Sequence, residues 1–211
     1  MIWDWNGTLL DDVDLARGIV NELFVDHGVQ PMSHERYIGL FDFPVRAYYE
    51  RAGMDFSRVS FESLSETFCD QFERRLADAA LFPAAVPVLS SVRHQGMAQY
   101  VLSGTEHGML CRMLSDFGLQ ATFNGIKGMS DGLASGKISG GRDLIAEFGI
   151  EADGTLMIGD TTHDFEVARE LGLDCALLTT GHQSAERLLE TGCPVFGSLD
   201  SISQHLSLPA W

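Results

Sequence analysis

Apolar residues follow a helical rhythm through the first third of the chain. One predicted helix spans residues 13–27 and stops at Gly28, and its apolar face consists of Val13, Ala16, Val20, Leu23 and Phe24. A second amphipathic helix is marked by Phe61, Leu64, Phe68 and Phe72. Residues 13–82 show no strand-like alternation, so we predict that this segment is an all-helical insert.

After Phe82 and Pro83 the rhythm changes to short apolar runs separated by helical segments. Predicted strands cover 100–102, 123–126, 156–158 and 175–178, with a last short strand and helix within 195–211. Strands that alternate with helices favour a parallel sheet with right-handed crossovers. We therefore predict an α/β protein whose core, a doubly wound parallel sheet, is made of 1–12 and 83–211.

Composition limits the partners of this protein. The 211 residues carry a formal net charge of −16, with 14 Lys and Arg against 30 Asp and Glu. Such a surface repels nucleic acid and anionic membranes, so an anionic substrate needs local positive groups or a bound cation. The chain contains no run of 18 apolar residues, and its four cysteines form no metal-binding spacing. We expect a soluble cytoplasmic protein with free thiols and do not predict its oligomeric state.

Three of the apolar runs end in polar residues whose side chains can bind ligands or react, namely Asp4, Ser103 and Asp160. The carboxyl ends of parallel strands meet at one edge of a doubly wound sheet, where such folds bind ligands. Two carboxylates that meet there repel each other unless a cation joins them, and oxygen ligands suit Mg²⁺. The pattern thus predicts one site with a divalent cation.

Four segments in order resemble the motifs of the haloacid dehalogenase-like hydrolases, in their phosphoglycolate phosphatase-like branch. They are Asp4-Trp5-Asn6-Gly7-Thr8-Leu9, Leu102-Ser103-Gly104, Lys137, and the Gly-Asp-x-x-x-Asp segment from Gly159 to Asp164. A helical cap inserted after the first motif is also the layout of this branch. The resemblance implies a Rossmann-like core with 13–82 as the cap.

The resemblance also implies roles for these residues. Asp4 would attack phosphorus and form an aspartyl-phosphate. Mg²⁺ would be held by Asp4, the backbone carbonyl of Asn6 and Asp160, with Asp164 binding through water or orienting the others. Ser103, Gly104 and Lys137 would bind the phosphoryl group. Lys127 is a second candidate for the lysine role, although a solvated loop charge is the simpler interpretation.

Asn6 departs from the family pattern, in which an aspartate at this position exchanges protons with the leaving group and with water. An amide does neither, and loss of general acid–base catalysis costs about 10²- to 10⁴-fold in rate. The enzyme would then be slow or restricted to good leaving groups, or would bind phosphate and metal without turnover. Deamidation of Asn6 to aspartate would restore the acid. Alternatively, another group would supply the proton. The candidates nearby in sequence are Asp11, Asp12, His107 and His163.

Substrate choice is expected to lie in the cap. Arg46 and Arg51 lie among aromatic residues there and are candidates for binding a carboxylate or a second phosphate, although a solvated helix face is an equally good interpretation. The cap contains no lysine, which disfavours the phosphonate-cleaving relatives that form a Schiff base. We predict Mg²⁺-dependent hydrolysis of a small phosphate monoester, such as a phosphoglycolate-like compound or a sugar phosphate. The alternative is a catalytically weak phosphate- and metal-binding or regulatory protein on the same fold.

Overall fold

A computed structural model of the chain describes residues 1–129 and 136–206. Its main sheet has six strands in the order β5-β4-β1-β6-β7-β8, and all of their pairings are parallel. The strands are β1 (Ile2–Trp3), β4 (Tyr100–Glu106), β5 (Gly125–Met129), β6 (Leu156–Gly159), β7 (Asp174–Leu178) and β8 (Val195–Phe196). The predicted α/β fold with a doubly wound, Rossmann-like parallel sheet is confirmed.

Helices cover both faces of this sheet, which is why its strands are apolar on both sides. They are α5 (Ala85–His94), α6 (His107–Asp116), α7 (Gly136–Phe148), α8 (Thr162–Leu171), α9 (Ala185–Leu189) and α10 (Leu199–His205). In β1 the side chains alternate between two apolar clusters, with Ile2 in one and Trp3 in the other. Leu102 and Met157 join the Ile2 cluster, while Val101 and Ile158 join the Trp3 cluster.

Between β1 and α5 lies a mostly helical segment, which is called the insert below. Its helices are α1 (Val13–Asp26), α2 (His34–Leu40), α3 (Val45–Ala52) and α4 (Phe61–Arg74), followed by a short 3-10 turn at Leu76–Asp78. The segment is not helical to its end. Strand β3 (Ala80–Leu81) pairs antiparallel with β2 (Leu10–Asp11), so a small ribbon joins the insert to the core. That pairing explains why the all-helical prediction for 13–82 fails over its last residues.

Two further boundaries differ from the sequence prediction. The strand expected at 123–126 begins later, because Gln120–Thr122 forms a 3-10 helix and β5 starts at Gly125. The strand also extends past 126 to Met129, so Lys127 lies in β5 and not in a loop. Residues 207–211 of the predicted terminal helix lie outside the described residues. Among the helices that the structure describes, none is long and apolar enough to cross a membrane.

Candidate active site

Asp4 and Asp160, at two of the strand ends singled out by the sequence, come together at the centre of the sheet. The strand predicted to end at 102 is longer, so Ser103 lies within β4, where its hydroxyl accepts from the Thr105 N–H at 3.1 Å. β4 and β6 flank β1, and Asp4 directly follows β1, with its backbone N–H donating to the Ile158 carbonyl at 2.8 Å. Asp4, Ser103 and Asp160 are all buried. The pairing of β4 with β5 changes register between Leu102 and Glu106, so the backbone that carries Ser103 is irregular. Such irregularities recur beside active sites.

Three carboxylates and one ammonium group form the centre of the site. Asp4, Asp160 and Asp164 each place an oxygen within 4.8 Å of the others. Lys137, at the start of α7, bridges two of them, with Nζ 2.5 Å from Asp4 Oδ1 and 2.6 Å from Asp164 Oδ1. The Lys137 side chain is only 6% exposed, so these ion pairs are shielded from water.

Asp164 is held by the start of α8. Its Oδ2 accepts hydrogen bonds from the Thr161 N–H at 3.0 Å, the Thr161 hydroxyl at 2.6 Å and the Asp160 N–H at 3.2 Å. Thr161 and Asp164 form a reciprocal capping box that satisfies free N–H groups of the helix. Since Lys137 occupies the other oxygen, Asp164 is well placed to orient its neighbours.

Asp160 is surrounded by backbone that only glycine permits. A Cβ atom at Gly7 or at Gly181 would collide with Asp160 Oδ2, and Gly7 also has a positive φ of 69°. The same oxygen accepts a hydrogen bond from the His182 N–H at 2.6 Å. The Thr8 hydroxyl lies 3.3 Å from Asp160 Oδ1 and 3.4 Å from Asp4 Oδ2, which links two of the carboxylates.

The charges of this cluster are out of balance. Burial raises the pKa of Asp4 to about 6 although Lys137 opposes the shift, and burial raises the pKa of Asp160 well above its usual value. Burial alone would lower the pKa of Lys137, but Asp164 and Asp4 raise it. Three buried carboxylates against one ammonium group leave room for further positive charge. An all-oxygen donor set of this kind fits a hard cation such as Mg²⁺.

Asn6 is half-buried and held on both sides of its carboxamide. Its Nδ2 donates to Asp12 Oδ2 at 2.8 Å, and its Oδ1 accepts from the Thr105 hydroxyl at 2.7 Å. The other oxygen of Asp12 accepts from the Gly7 N–H at 2.8 Å and lies 3.3 Å from His182 Nε2. Burial would lower the pKa of His182, but the carboxylates of Asp12, Asp160 and Asp4 raise it to about 9.

The remaining candidates fall into two groups. Of the residues considered as replacement acids, Asp12 contacts Asn6, whereas Asp11 is exposed to solvent. The two histidines have other partners. His107 accepts a hydrogen bond from the Gly128 N–H at 3.2 Å, and His163 packs on Phe43 with ring centroids 4.9 Å apart.

The other group consists of basic residues with local partners. Arg46 lies 3.3 Å from Glu50 and over the ring of Phe56, and Arg51 lies 3.1 Å from Asp42. Lys127 pairs with Asp143 at 3.3 Å. These contacts tie none of the three to the carboxylate cluster. Gly104 lies in β4 beside open space.

Sequence reasoning missed Thr8, Thr161 and His182 as members of the site. Thr8 and Thr161 lie inside the motifs, but their contacts depend on side-chain direction. His182 follows β7, the strand next to β6, so the rule that identified Asp160 also applies to the loop after Leu178. The weaker signal there is a Gly-His pair four residues beyond the apolar run.

The family model described as haloacid dehalogenase-like hydrolase matches residues 1–178. The chain therefore belongs to the haloacid dehalogenase-like hydrolases and is an enzyme of that family. The predicted resemblance to the phosphoglycolate phosphatase-like branch is likewise confirmed.

Relatives of the chain support this placement. A phosphoglycolate phosphatase from Synechococcus elongatus is 25% identical over 198 residues, covering 92% of this chain and 89% of its own length. A tyrosine-protein kinase, PtkA from Mycobacterium tuberculosis, is 26% identical over 227 residues, covering 99% of this chain and 72% of its own. The crystal structure of a predicted phosphatase from Clostridium acetobutylicum has a TM-score of 0.82 at 22% identity and covers 98% of this chain and 96% of its own.

Proposed function

We propose that the protein hydrolyses a small phosphate monoester through an aspartyl-phosphate on Asp4. The observation that carries this proposal is the position of Asp4, buried at a central strand end, ion-paired with Lys137 and within reach of two further carboxylates. Two relatives, at 25% and 26% identity, are phosphoglycolate phosphatases, and this supports the assignment of the reaction class.

The reaction needs two displacements at phosphorus. A carboxylate oxygen of Asp4 forms a bond to phosphorus while the bond to the leaving oxygen breaks, and an alkoxide leaving oxygen takes up a proton from solvent. A water oxygen then forms a bond to phosphorus and releases a proton to solvent, the bond to Asp4 breaks, and inorganic phosphate leaves. Lys137 and Ser103 bind the phosphoryl oxygens and hold the group in line with Asp4.

The acidic cluster also forms a metal-binding site in this proposal. Asp4, Asp160 and the backbone carbonyl of Asn6 would hold Mg²⁺, and Asp164 would orient them, since both of its oxygens already have protein partners. Bound there, Mg²⁺ supplies positive charge that offsets the charge of the phosphoryl oxygens. The imbalance of charge among the buried groups supports this assignment.

Asn6 restricts the leaving group. A carboxamide does not protonate a departing alkoxide, so esters of poorly acidic alcohols should react slowly, by about 10²- to 10⁴-fold. Acyl phosphates and aryl phosphates, whose leaving oxygens need no proton, escape most of this loss. We therefore expect the ratio of rates on acetyl phosphate and on 2-phosphoglycolate to be unusually large for a phosphatase.

A catalytically weak phosphate- and metal-binding protein is the second candidate. It is favoured by the carboxamide of Asn6, which is held by Asp12 and Thr105 in place of an acid. Such a protein would bind phosphate and Mg²⁺ saturably without turning over either substrate.

Steady-state hydrolysis of acetyl phosphate, p-nitrophenyl phosphate and 2-phosphoglycolate, with Mg²⁺ and with EDTA, tests the proposal. We expect turnover with Mg²⁺ only, rates that follow leaving-group acidity, and no turnover by Asp4→Asn. Thermal unfolding gives an independent measure, because Mg²⁺ should raise the melting temperature of the wild type but not of Asp160→Asn. An inert wild type that still binds phosphate would favour the second candidate.

A further inference from the structure

A line of hydrogen-bonded side chains runs from the helical insert to Asn6. Tyr37, on α2, has its hydroxyl 2.9 Å from His182 Nδ1. His182 Nε2 lies 3.3 Å from Asp12 Oδ1, and Asp12 Oδ2 accepts from Asn6 Nδ2 at 2.8 Å. Tyr37, His182 and Asp12 are 1%, 5% and 2% exposed, so water offers their polar groups little alternative.

Asp12 determines which way the Asn6 carboxamide faces. Its Oδ2 accepts a hydrogen bond from the NH₂ group of Asn6 at 2.8 Å. The carbonyl oxygen then points to Thr105, whose hydroxyl can donate. Asp12 is itself fixed by the Gly7 N–H at 2.8 Å and by His182. The orientation of Asn6 thus follows from Asp12, which Gly7 and His182 hold in place.

The link to Tyr37 does not depend on the protonation state of His182. A hydroxyl both donates and accepts, so it pairs with Nδ1 whether or not that nitrogen carries a proton. Facing a carboxylate, Nε2 carries a proton in either case. The contact with Tyr37 therefore fixes the position of the His182 ring in either protonation state.

Tyr37 is also part of a wider contact between insert and core. The loop that contains His182 binds the insert through the Ser184 N–H, which donates to the Ile38 carbonyl at 3.1 Å, and through Gln183 Nε2, which donates to the Phe41 carbonyl at 3.0 Å. Arg187 adds an ion pair with Asp42 at 3.1 Å. If the insert moves away from the core, Tyr37 leaves His182.

We infer that Asp12, His182 and Tyr37 are positioning residues for Asn6, and that Tyr37 couples the orientation of the Asn6 carboxamide to the seating of the insert on the core. The inference rests on the proposed function for its kinetic consequence. It also predicts that an aspartate at position 6 would be unfavourable, because its carboxyl group would face that of Asp12.

The direct test follows the side-chain amide of Asn6 by NMR. The chain has three asparagines, at positions 6, 21 and 124, so labelling with ¹⁵N-asparagine gives three pairs of side-chain signals, and Asn6→Ala identifies one of them. Tyr37→Phe and Asp12→Asn should shift or broaden the Asn6 pair and leave the others in place. Tyr48→Phe is the matched control, because Tyr48 is equally buried, packs on Tyr37 and has its hydroxyl 4.0 Å from Met32 Sδ.

The kinetic arm measures the same variants. Asn6 also offers its backbone carbonyl as a proposed Mg²⁺ ligand, so a displaced Asn6 in Tyr37→Phe should lower kcat by about 3- to 10-fold with KM changed less than about twofold. Tyr48→Phe should stay within about twofold of the wild type in both parameters. An Asn6 signal that is unmoved in Tyr37→Phe, or an equal effect of Tyr48→Phe, overturns the inference.

A double-mutant cycle tests the incompatibility of carboxylates at positions 6 and 12. At pH 8 with EDTA, Asn6→Asp should lower the melting temperature by about 4 °C or more. The same change should cost less than about 1 °C in a background of Asp12→Asn, where the partner is neutral. An equal loss in both backgrounds would refute the coupling.

These measurements separate the inference from the proposed function. The NMR signals and melting temperatures require no turnover, so they decide the positioning role even if the wild type is inert. An inert wild type with the expected Asn6 shifts rejects the phosphatase proposal alone.

Discussion

The edge of the core around Asp4 and the outer face of the insert differ in how exposed their charged side chains are and in how far along the chain their partners lie. At the core edge, Lys137 is 6% exposed and bridges carboxylates that are distant in sequence. On the insert, Arg46 is 54% exposed and pairs with Glu50 on its own helix. Burial strengthens the attraction within the first set at a cost in desolvation, whereas ion pairs in solvent contribute little to stability. Charges brought together by topology are thus better guides to function than charges paired locally.

The largest effect should come from Asp4. We expect Asp4→Asn to lower kcat for acetyl phosphate by at least about 10³-fold, since the amide forms no acyl-phosphate and nucleophile removal typically costs this much or more. The rate of phosphate release, measured at fixed time points, gives kcat for both proteins. Residual turnover within tenfold of the wild type would show that another residue is the nucleophile.

The two lysines allow a direct comparison of stability. Lys137→Met leaves the buried carboxylates of Asp4 and Asp164 without their partner, so the free energy of unfolding should fall by about 3–5 kcal/mol. Lys127→Met removes a half-exposed ion pair with Asp143 and should cost about 1 kcal/mol or less. Chemical denaturation with EDTA present measures both. Similar losses in the two variants would contradict the contrast between buried and exposed pairs.

The raised pKa of Asp4 makes stability depend on pH. The folded protein holds the Asp4 proton more tightly than the unfolded chain does, because its pKa is about 6 when folded. Stability from this group is therefore full below about pH 4 and is lost as the pH rises through about 6, by up to about 3 kcal/mol.

Asp4→Asn should show a flatter profile over this range, because the amide does not titrate. The comparison requires metal-free protein and denaturation curves at several pH values between 4 and 8. Parallel profiles for the two proteins would mean that Asp4 is not the group that titrates.

The smallest effect should follow the loss of Arg46. Its contacts are a surface ion pair and the ring of Phe56, so Arg46→Ala should change KM less than about twofold and stability by about 1 kcal/mol or less. A tenfold rise in KM with unchanged kcat would instead show that Arg46 binds the substrate.

The fold and the placement of the site could be predicted from the sequence because they depend on strand ends. The apolar runs before Asp4 and Asp160 end where β1 and β6 end, and parallel topology brings those two ends to the same edge of the sheet. The run before Ser103 does not mark a strand end, because β4 continues to Glu106. Boundaries failed where a local turn competed with the strand pattern, as at Gln120–Thr122.

The surroundings of Asn6 could not be predicted in the same way. The contact between Asp12 and His182 joins residues 170 positions apart, through a loop with no periodicity. Tyr37 reaches His182 only because the insert sits on that loop, and helical spacing alone does not reveal how a helix is placed. Likewise, the local partners of Arg46 depend on side-chain direction, which composition does not encode.

The ribbon between insert and core has a consequence for protein engineering. Asp11 and Ala80 are paired across β2 and β3, so the chain leaves and re-enters the core at neighbouring points. A short turn, or an insert from a relative with different substrate preference, would bridge these points with little change to the backbone of the sheet. The ribbon is therefore a natural splice site for building chimeras that keep the core and exchange the helical insert.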